Sequence, residues 1–258
     1  MCPMARTYRK SSRGVPDGYF AWEAAGLRWL AVPGGTGVAE VLGVGEQHLD
    51  LPFLDSAAPD PSAAEDFGRG LAVVHGAGAT SFGAPPADWS GDGWLGPLSE
   101  PLPMRLGGWD RWGEFYAEAR IEPLARTGRE RGIFDDDDVA TLERCAATVA
   151  SGTYDTGERA ARLHGDLWSG NVMWTPDGVV LIDPAAHGGH HEADLAMLAL
   201  FGCPHLDRVL AAYDEGSPLA EGWQDRVLLH QLHPLLVHAV LFGGSYVRRA
   251  LSAAERYA

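Results

Sequence analysis

The chain has 258 residues, 46% hydrophobic and 21% charged, the balance of an ordinary globular protein and enough length for two packed units around one cleft. Its net charge of −15 excludes the basic footprint that nucleic acid requires, and no run approaches the ~18 apolar residues of a membrane span. Met1–Arg6 carries no apolar signal core, and Cys2, Cys145 and Cys203 stand without CxxC spacing. A cytoplasmic protein without a disulfide framework or structural zinc is expected, a monomer being favoured over an oligomer.

In chain order, Thr7–Lys10 reads as the end of a short strand, and Ser11–Gly18 as a turn. Phe20, Ala24, Leu27 and Leu30 then share one face of a helix predicted over Tyr19–Ala31. Lys10 is the only lysine among 20 basic residues, which suits a compact point charge kept for a phosphate; a chance surface lysine is the plainer reading. Gly34-Gly35-Thr36-Gly37 is a turn, and Val38–Val44 and His48–Leu54 are predicted strands flanking another. Asp55–Ser62, rich in Ala and Pro, is a linker.

Phe67, Leu71 and Val74 mark a helix over Ala64–His75, weakened by Gly68 and Gly70. The stretch 76–108, rich in glycine and proline, is expected to be a long irregular surface loop. Asp110 is placed to cap a helix carrying Trp112, Phe115, Tyr116 and Ala119 on one face. Asp135–Asp138 precede Val139, Leu142, Ala146 and Val149; four acids favour a helix N-terminus over a metal site.

The most informative stretch is Leu163–Leu200. Asp166 and Asn171 are followed by apolar runs, Val172–Trp174 and Val179–Ile182, around Pro176-Asp177-Gly178. Pro presets φ and Gly accepts a left-handed conformation, so a hairpin is predicted that returns Asp183 to the side of Asn171 and Asp166. A carboxylate beside an amide suits a hard cation such as Mg²⁺, and Asp166 is then free to accept a proton from an attacking hydroxyl. The plainer reading is a polar loop on the hairpin. His187, His190 and His191 have spacings that suggest zinc on a helix, but Gly188-Gly189 argues against that helix. Asp194 heads a helix over Leu195–Phe201 as its N-terminal cap, and Trp168 is either a stacking platform or a core aromatic. An apolar helix over Gly222–Val247 is expected to kink or split at Pro234.

HGDLWSGN at His164–Asn171, LIDPA at Leu181–Ala185, HEADLAMLALFG at His191–Gly202 and WGEFYAEARIEP from Trp112 resemble the fructosamine kinase (ketosamine-3-kinase) family. That family lies in the protein-kinase-like superfamily, with aminoglycoside phosphotransferases and choline kinases as more distant relatives. The resemblance implies an α+β, two-lobed protein-kinase-like fold: a small β lobe over 1–54 and a larger, mainly helical lobe over 55–258. It implies ATP and Mg²⁺, with Asp166 as base, Asn171 and Asp183 on the metal, and Lys10 paired to Glu23 on the nucleotide phosphates. Leu51 and Phe53 would stand at the hinge that bonds adenine, and Trp168, His187 and His191 toward the acceptor. In the resembled family, Asp194 braces the catalytic loop. The acceptor would be a ketosamine, a fructosamine or ribulosamine adduct on a small amine or protein lysine, phosphorylated on a sugar hydroxyl so that the adduct decomposes. Three departures stand out. Only nine residues, none Gly, precede Lys10 where the family carries a Gly-rich hairpin over the phosphates, so a truncated small lobe without a lid is expected. Pro52 and His191 occupy positions where an acid and an Arg are usual. The alternatives are an aminoglycoside- or choline-type phosphotransferase and a catalytically impaired, pseudokinase-like binding protein.

Overall fold

The computed structural model describes residues 6–258; the readings of Met1–Ala5, Cys2 among them, lie outside the described residues. The elements run β1 (Thr7–Ser11), α1 (Tyr19–Leu30), β2 (Gly37–Val38), β3 (Gly43–Gly45), β4 (His48–Pro52), α2 (Pro61–Gly76), β5 (Gly93–Leu95), β6 (Leu102–Met104) and α3 (Trp112–Tyr116). A π-helical turn at Ala117–Ile121 leads into α4 (Glu122–Glu130), followed by α5 (Asp136–Ala150), β7 (Ala161–Leu163), β8 (Val172–Thr175), β9 (Gly178–Leu181) and β10 (His187–Gly189). Four helices complete the chain: α6 (Glu192–Phe201), α7 (Leu206–Gly216), α8 (Trp223–Phe242) and α9 (Ser245–Arg256). Among the described residues no helix is long and apolar enough to cross a membrane. Cys145 and Cys203 are both free thiols.

β4 lies between β1 and β3 in an antiparallel sheet that sets Lys10 opposite Leu49. Alternation along β4 turns Leu49 and Leu51 inward, where they pack against Phe20, Ala24 and Leu27 of α1. The single strand expected over Val38–Val44 is divided. β2 leaves this sheet and pairs in parallel with β9, Gly37 opposite Val180 and Val38 opposite Leu181, while β3 alone pairs with β4. One short segment thus stitches the N-terminal sheet to the β8–β9 hairpin, a pairing too distant in sequence for local alternation to reveal.

Asp60 accepts from the amides of Ser62 and Ala63 and caps α2 ahead of Pro61. The two glycines that weaken α2 in isolation are what let it pack. A Cβ at Gly68 would meet the Val209 carbonyl oxygen at 2.2 Å, and one at Gly70 the Thr36 amide nitrogen at 2.5 Å. The stretch read as irregular contains the β5–β6 hairpin, which is too short to show a strand period. Asp110 does not cap α3: Arg111 precedes the helix, and the Gly113 amide is taken by Asp155 from 42 residues away (2.9 Å). Asp135 does cap α5, in a reciprocal box with Asp138.

Pro234 neither splits nor ends α8. Its helix buries Leu229, Leu232, Leu235 and Leu236 in the largest core and packs against α4, α6 and α9. The Tyr116 hydroxyl replaces a bond in the ladder: it accepts from the His233 amide (3.0 Å) and donates to the Leu229 carbonyl (2.6 Å). Tyr116→Phe strands both backbone groups in the core and should cost about 1–3 kcal/mol, read as a lowered midpoint in urea unfolding followed by tryptophan fluorescence. A midpoint equal to wild type would mean that the ladder closes without the hydroxyl.

Candidate active site

β7 delivers the chain into His164-Gly165-Asp166, and a 3₁₀ turn over Ser169–Asn171 leads into β8. The hairpin has the expected register, Val172 opposite Leu181 and Thr175 opposite Gly178. Beyond it the Ile182 amide donates to the Asn171 carbonyl at 3.1 Å, which brings Asp183 back beside the loop. The Asn171 amide nitrogen donates to both the backbone oxygen and Oδ2 of Asp166, at 2.8 and 3.0 Å. From the N-terminal sheet, Lys10 Nζ donates to Glu23 Oε2 at 2.8 Å and lies 3.1 Å from Asp183 Oδ1. Lys10, Glu23, Asp166, Asn171 and Asp183 therefore meet, and all five line one cleft of about 580 Å³.

The electrostatics follow from burial and pairing. Burial opposes the Lys10 ammonium, but Glu23 and Asp183 outweigh it and raise its pKa. Burial raises the Glu23 carboxyl against the pull of Lys10. Burial also raises Asp166 to about 6; Asn171 and Lys10 oppose this, while Asp183 and Asp194 add to it. Asn171 spends its amide nitrogen on Asp166, leaving its amide oxygen and the half-exposed Asp183 carboxylate as donors on the cleft wall. Two such oxygens fit a hard divalent cation of the Mg²⁺ type, which completes its shell with water and phosphate oxygens.

The loop is held from behind. Asp194 is not a helix cap: it is fully buried, and its carboxylate accepts from the amides of His164 (2.8 Å) and Gly165 (2.9 Å) and from His75 Nε2 (3.1 Å). Burial acts against this carboxylate, but the His75 hydrogen bond and the surrounding donors hold it below the usual range. His164 Nδ1 accepts from the Asp166 amide, so its Nε2 donates to the Ile182 carbonyl (2.9 Å), tying loop to hairpin. At Gly165 φ is +79°, and a Cβ there would meet the Ala185 carbonyl at 2.2 Å; only glycine fits.

Four expected residues lie elsewhere. Leu51 is buried in the small sheet and Phe53, past the end of β4, is exposed with its amide taken by the Arg6 carbonyl (2.8 Å); neither lines the cleft. His187 is buried beneath the loop, bonded to the Ala185 carbonyl at 2.8 Å, and burial lowers it to about 3. His191 is buried and faces Tyr213 and Glu158 instead of the cleft. Trp168 does line the cleft and is 39% exposed, which settles it as a wall residue and not a core aromatic. Sequence reasoning missed the aromatic wall that continues from Trp168 through Phe201 to His238, Phe242 and Tyr246 of α8 and α9, because their helical spacing reads as ordinary packing. It also missed His75, whose only local signal is a histidine on the buried face of α2.

Asp194→Asn exchanges an acceptor for a donor beside two backbone amides. The His164 and Gly165 amides should then exchange with solvent faster and stability should fall by on the order of 3 kcal/mol, measured by hydrogen exchange and denaturation at neutral pH. Because this carboxyl is held low, its stabilisation is complete above the ordinary carboxylate range and is lost as pH falls through the folded value.

The family model for fructosamine kinase matches residues 7–257. A protein of Thermus thermophilus described as a probable ketoamine kinase is 35% identical over 247 residues, covering 95% of this chain and 86% of the relative. Another so described, from Synechocystis, is 34% identical over 213 residues, covering 80% of this chain and 66% of the relative. A crystal structure from Thermobifida fusca, of a protein assigned as a fructosamine-3-kinase, superposes with a TM-score of 0.87 at 47% identity, covering 97% of this chain and 84% of that one. An aminoglycoside phosphotransferase mutant solved with ADP and hygromycin B reaches 0.58 at 16% identity, covering 97% and 85%, and shares the fold alone. The fold is that of protein-kinase-like phosphotransferases, and the chain belongs to the fructosamine kinase family.

Proposed function

We propose that the protein transfers the γ-phosphoryl group of ATP to a sugar hydroxyl of a ketosamine, a fructosamine or ribulosamine adduct on a small amine or protein lysine. The observation that carries this reading is the meeting of Asp166, Asn171, Asp183 and Lys10 around one cleft. The family match supports the ketosamine class of acceptor. Residues 1–54 would serve the nucleotide and 55–258 the acceptor and the chemistry.

Asp166 accepts the proton of the attacking hydroxyl as its oxygen bonds to phosphorus and the bond to the ADP oxygen breaks. Asn171, donating to Asp166 Oδ2, holds that carboxylate in one rotamer. Lys10, steadied by Glu23, offsets charge on the nucleotide phosphates. Asn171 and Asp183 would hold Mg²⁺, which when bound supplies further charge neutralisation to the phosphates. Trp168, exposed beside Asp166, offers a flat face to the sugar. Catalysis of this kind is positioning and charge stabilisation more than covalent chemistry.

The test is a phosphorylation screen with Mg²⁺-ATP that compares ketosamines with aminoglycosides and choline. Turnover confined to ketosamines is expected, and turnover of the others alone would overturn the substrate class. In the active assay Asp166→Asn should lower kcat about 10²–10⁴-fold with nucleotide affinity unchanged; near-wild-type turnover would remove the base assignment.

A pH profile checks the same residue. The carboxylate is the form that accepts a proton, and burial raises Asp166 to about 6. Accordingly kcat/KM should level off above that value and fall about tenfold per unit below it.

A further inference from the structure

A second cavity, of about 990 Å³, shares no lining residue with the cleft; Glu158, His75, His191 and Tyr213 stand on its wall. From it an unbroken run of polar contacts reaches the loop that carries Asp166. Glu158 Oε2 meets His191 Nε2 at 2.5 Å, and His191 Nδ1 meets the Tyr213 hydroxyl at 2.9 Å. That hydroxyl also meets His75 Nδ1 at 2.8 Å, and His75 Nε2 meets Asp194 Oδ2 at 3.1 Å. Asp194 in turn holds the His164 and Gly165 amides.

The hydrogens in this run do not add up with every ring neutral. A carboxylate only accepts, so the Nε2 atoms of both His75 and His191 must carry hydrogen. A neutral imidazole has one N–H, so both Nδ1 atoms would then be lone pairs. Both face the Tyr213 oxygen, whose single hydrogen serves one of them. One more hydrogen is needed, and it makes one ring an imidazolium. Burial lowers the pKa of His75 despite the pull of Asp194, which leaves His191, beside the half-exposed Glu158, as the charged ring.

We propose that His191 and Glu158 are positioning residues. As an imidazolium–carboxylate pair they complete the run that fixes Asp194, and through it the Asp166 loop. Most neighbouring charged groups are engaged elsewhere. Glu192 is occupied by Arg226 and His230. Arg159 and Arg162 line the same cavity, and Arg162 is committed to the Trp29 carbonyl. His190 Nε2 lies 3.8 Å from Glu158 Oε2, but its Nδ1 accepts from the Glu192 amide (3.2 Å). Its hydrogen therefore sits on Nε2, directed at the Thr156 hydroxyl (3.0 Å). Glu158, His190 and His191 do bring three metal-ligand atoms together, yet that hydrogen occupies the nitrogen a metal would need.

The test has two arms, and only the second rests on the kinase reading. In ¹⁵N-resolved spectra of the histidine rings, assigned with His191→Arg, both nitrogens of His191 should be protonated at neutral pH; a neutral ring would overturn the proposal whatever the enzyme's activity. In kinetics with a ketosamine, His191→Gln should lower kcat about tenfold with KM for ATP unchanged. Arg stays charged and keeps several N–H donors, so His191→Arg should retain wild-type kcat, and Glu158→Gln should lower it as His191→Gln does. Equal kcat in all four proteins would overturn the coupling. So would chelator-treated protein whose His190 and His191 signals shift, and whose kcat changes, on adding Zn²⁺, since the pair would then be a metal site.

Discussion

One ammonium ties the cleft together. Lys10 comes from β1, Glu23 from α1 and Asp183 from the end of the β8–β9 hairpin, and the Lys10 Nζ is within 3.1 Å of both carboxylates. Removing such charges from water costs several kcal/mol apiece unless pairing and hydrogen bonds offset it, so the three elements are held to one relative arrangement. Two carboxylates against one ammonium leave negative charge over, and the half-exposed Asp183 turns it toward the cleft.

The Asp166 loop is costly to build and accordingly braced. Gly165 and Asp183 both take positive φ, +79° and +53°, conformations that persist where the surroundings over-determine them. Here the surroundings are His164, bonded to the Ile182 carbonyl, and Asp194, bonded to two loop amides. In the phosphoryl transfer we propose, such bracing would matter, since a small misplacement of the proton acceptor forfeits much of the rate. The run from Asp194 to Glu158 extends the brace to a second opening in the surface.

Much was legible because it is local. Pro176-Asp177-Gly178 between apolar runs dictates a hairpin, and a hairpin returns Asp183 to Asn171 without reference to the rest of the chain. Asp135–Asp138 ahead of an apolar period similarly reads as a capped helix start, as it is. What failed was non-local. Nothing near Gly37–Val38 announces a parallel partner at Val180–Leu181. Nothing near Pro234 announces that Tyr116 will bridge the interrupted ladder. Gly68 and Gly70 count against a helix by propensity and make sense only once α7 and the Gly35–Thr36 turn are packed against α2.

By itself the sequence determined that Asp166, Asn171 and Asp183 meet, since order and spacing within Leu163–Leu200 confine them to one small element, and it marked the lone lysine thirteen residues ahead of Glu23 that joins them. Tertiary structure alone decided what each histidine touches. His187, His190 and His191 are neighbours in the chain, yet one packs under the loop, one bonds Thr156 and one meets Glu158. The reason is physical: an imidazole's role follows from the donors and acceptors at its two nitrogens, and for His190 and His191 these include groups from α7 and the segment before β7, which only folding brings together.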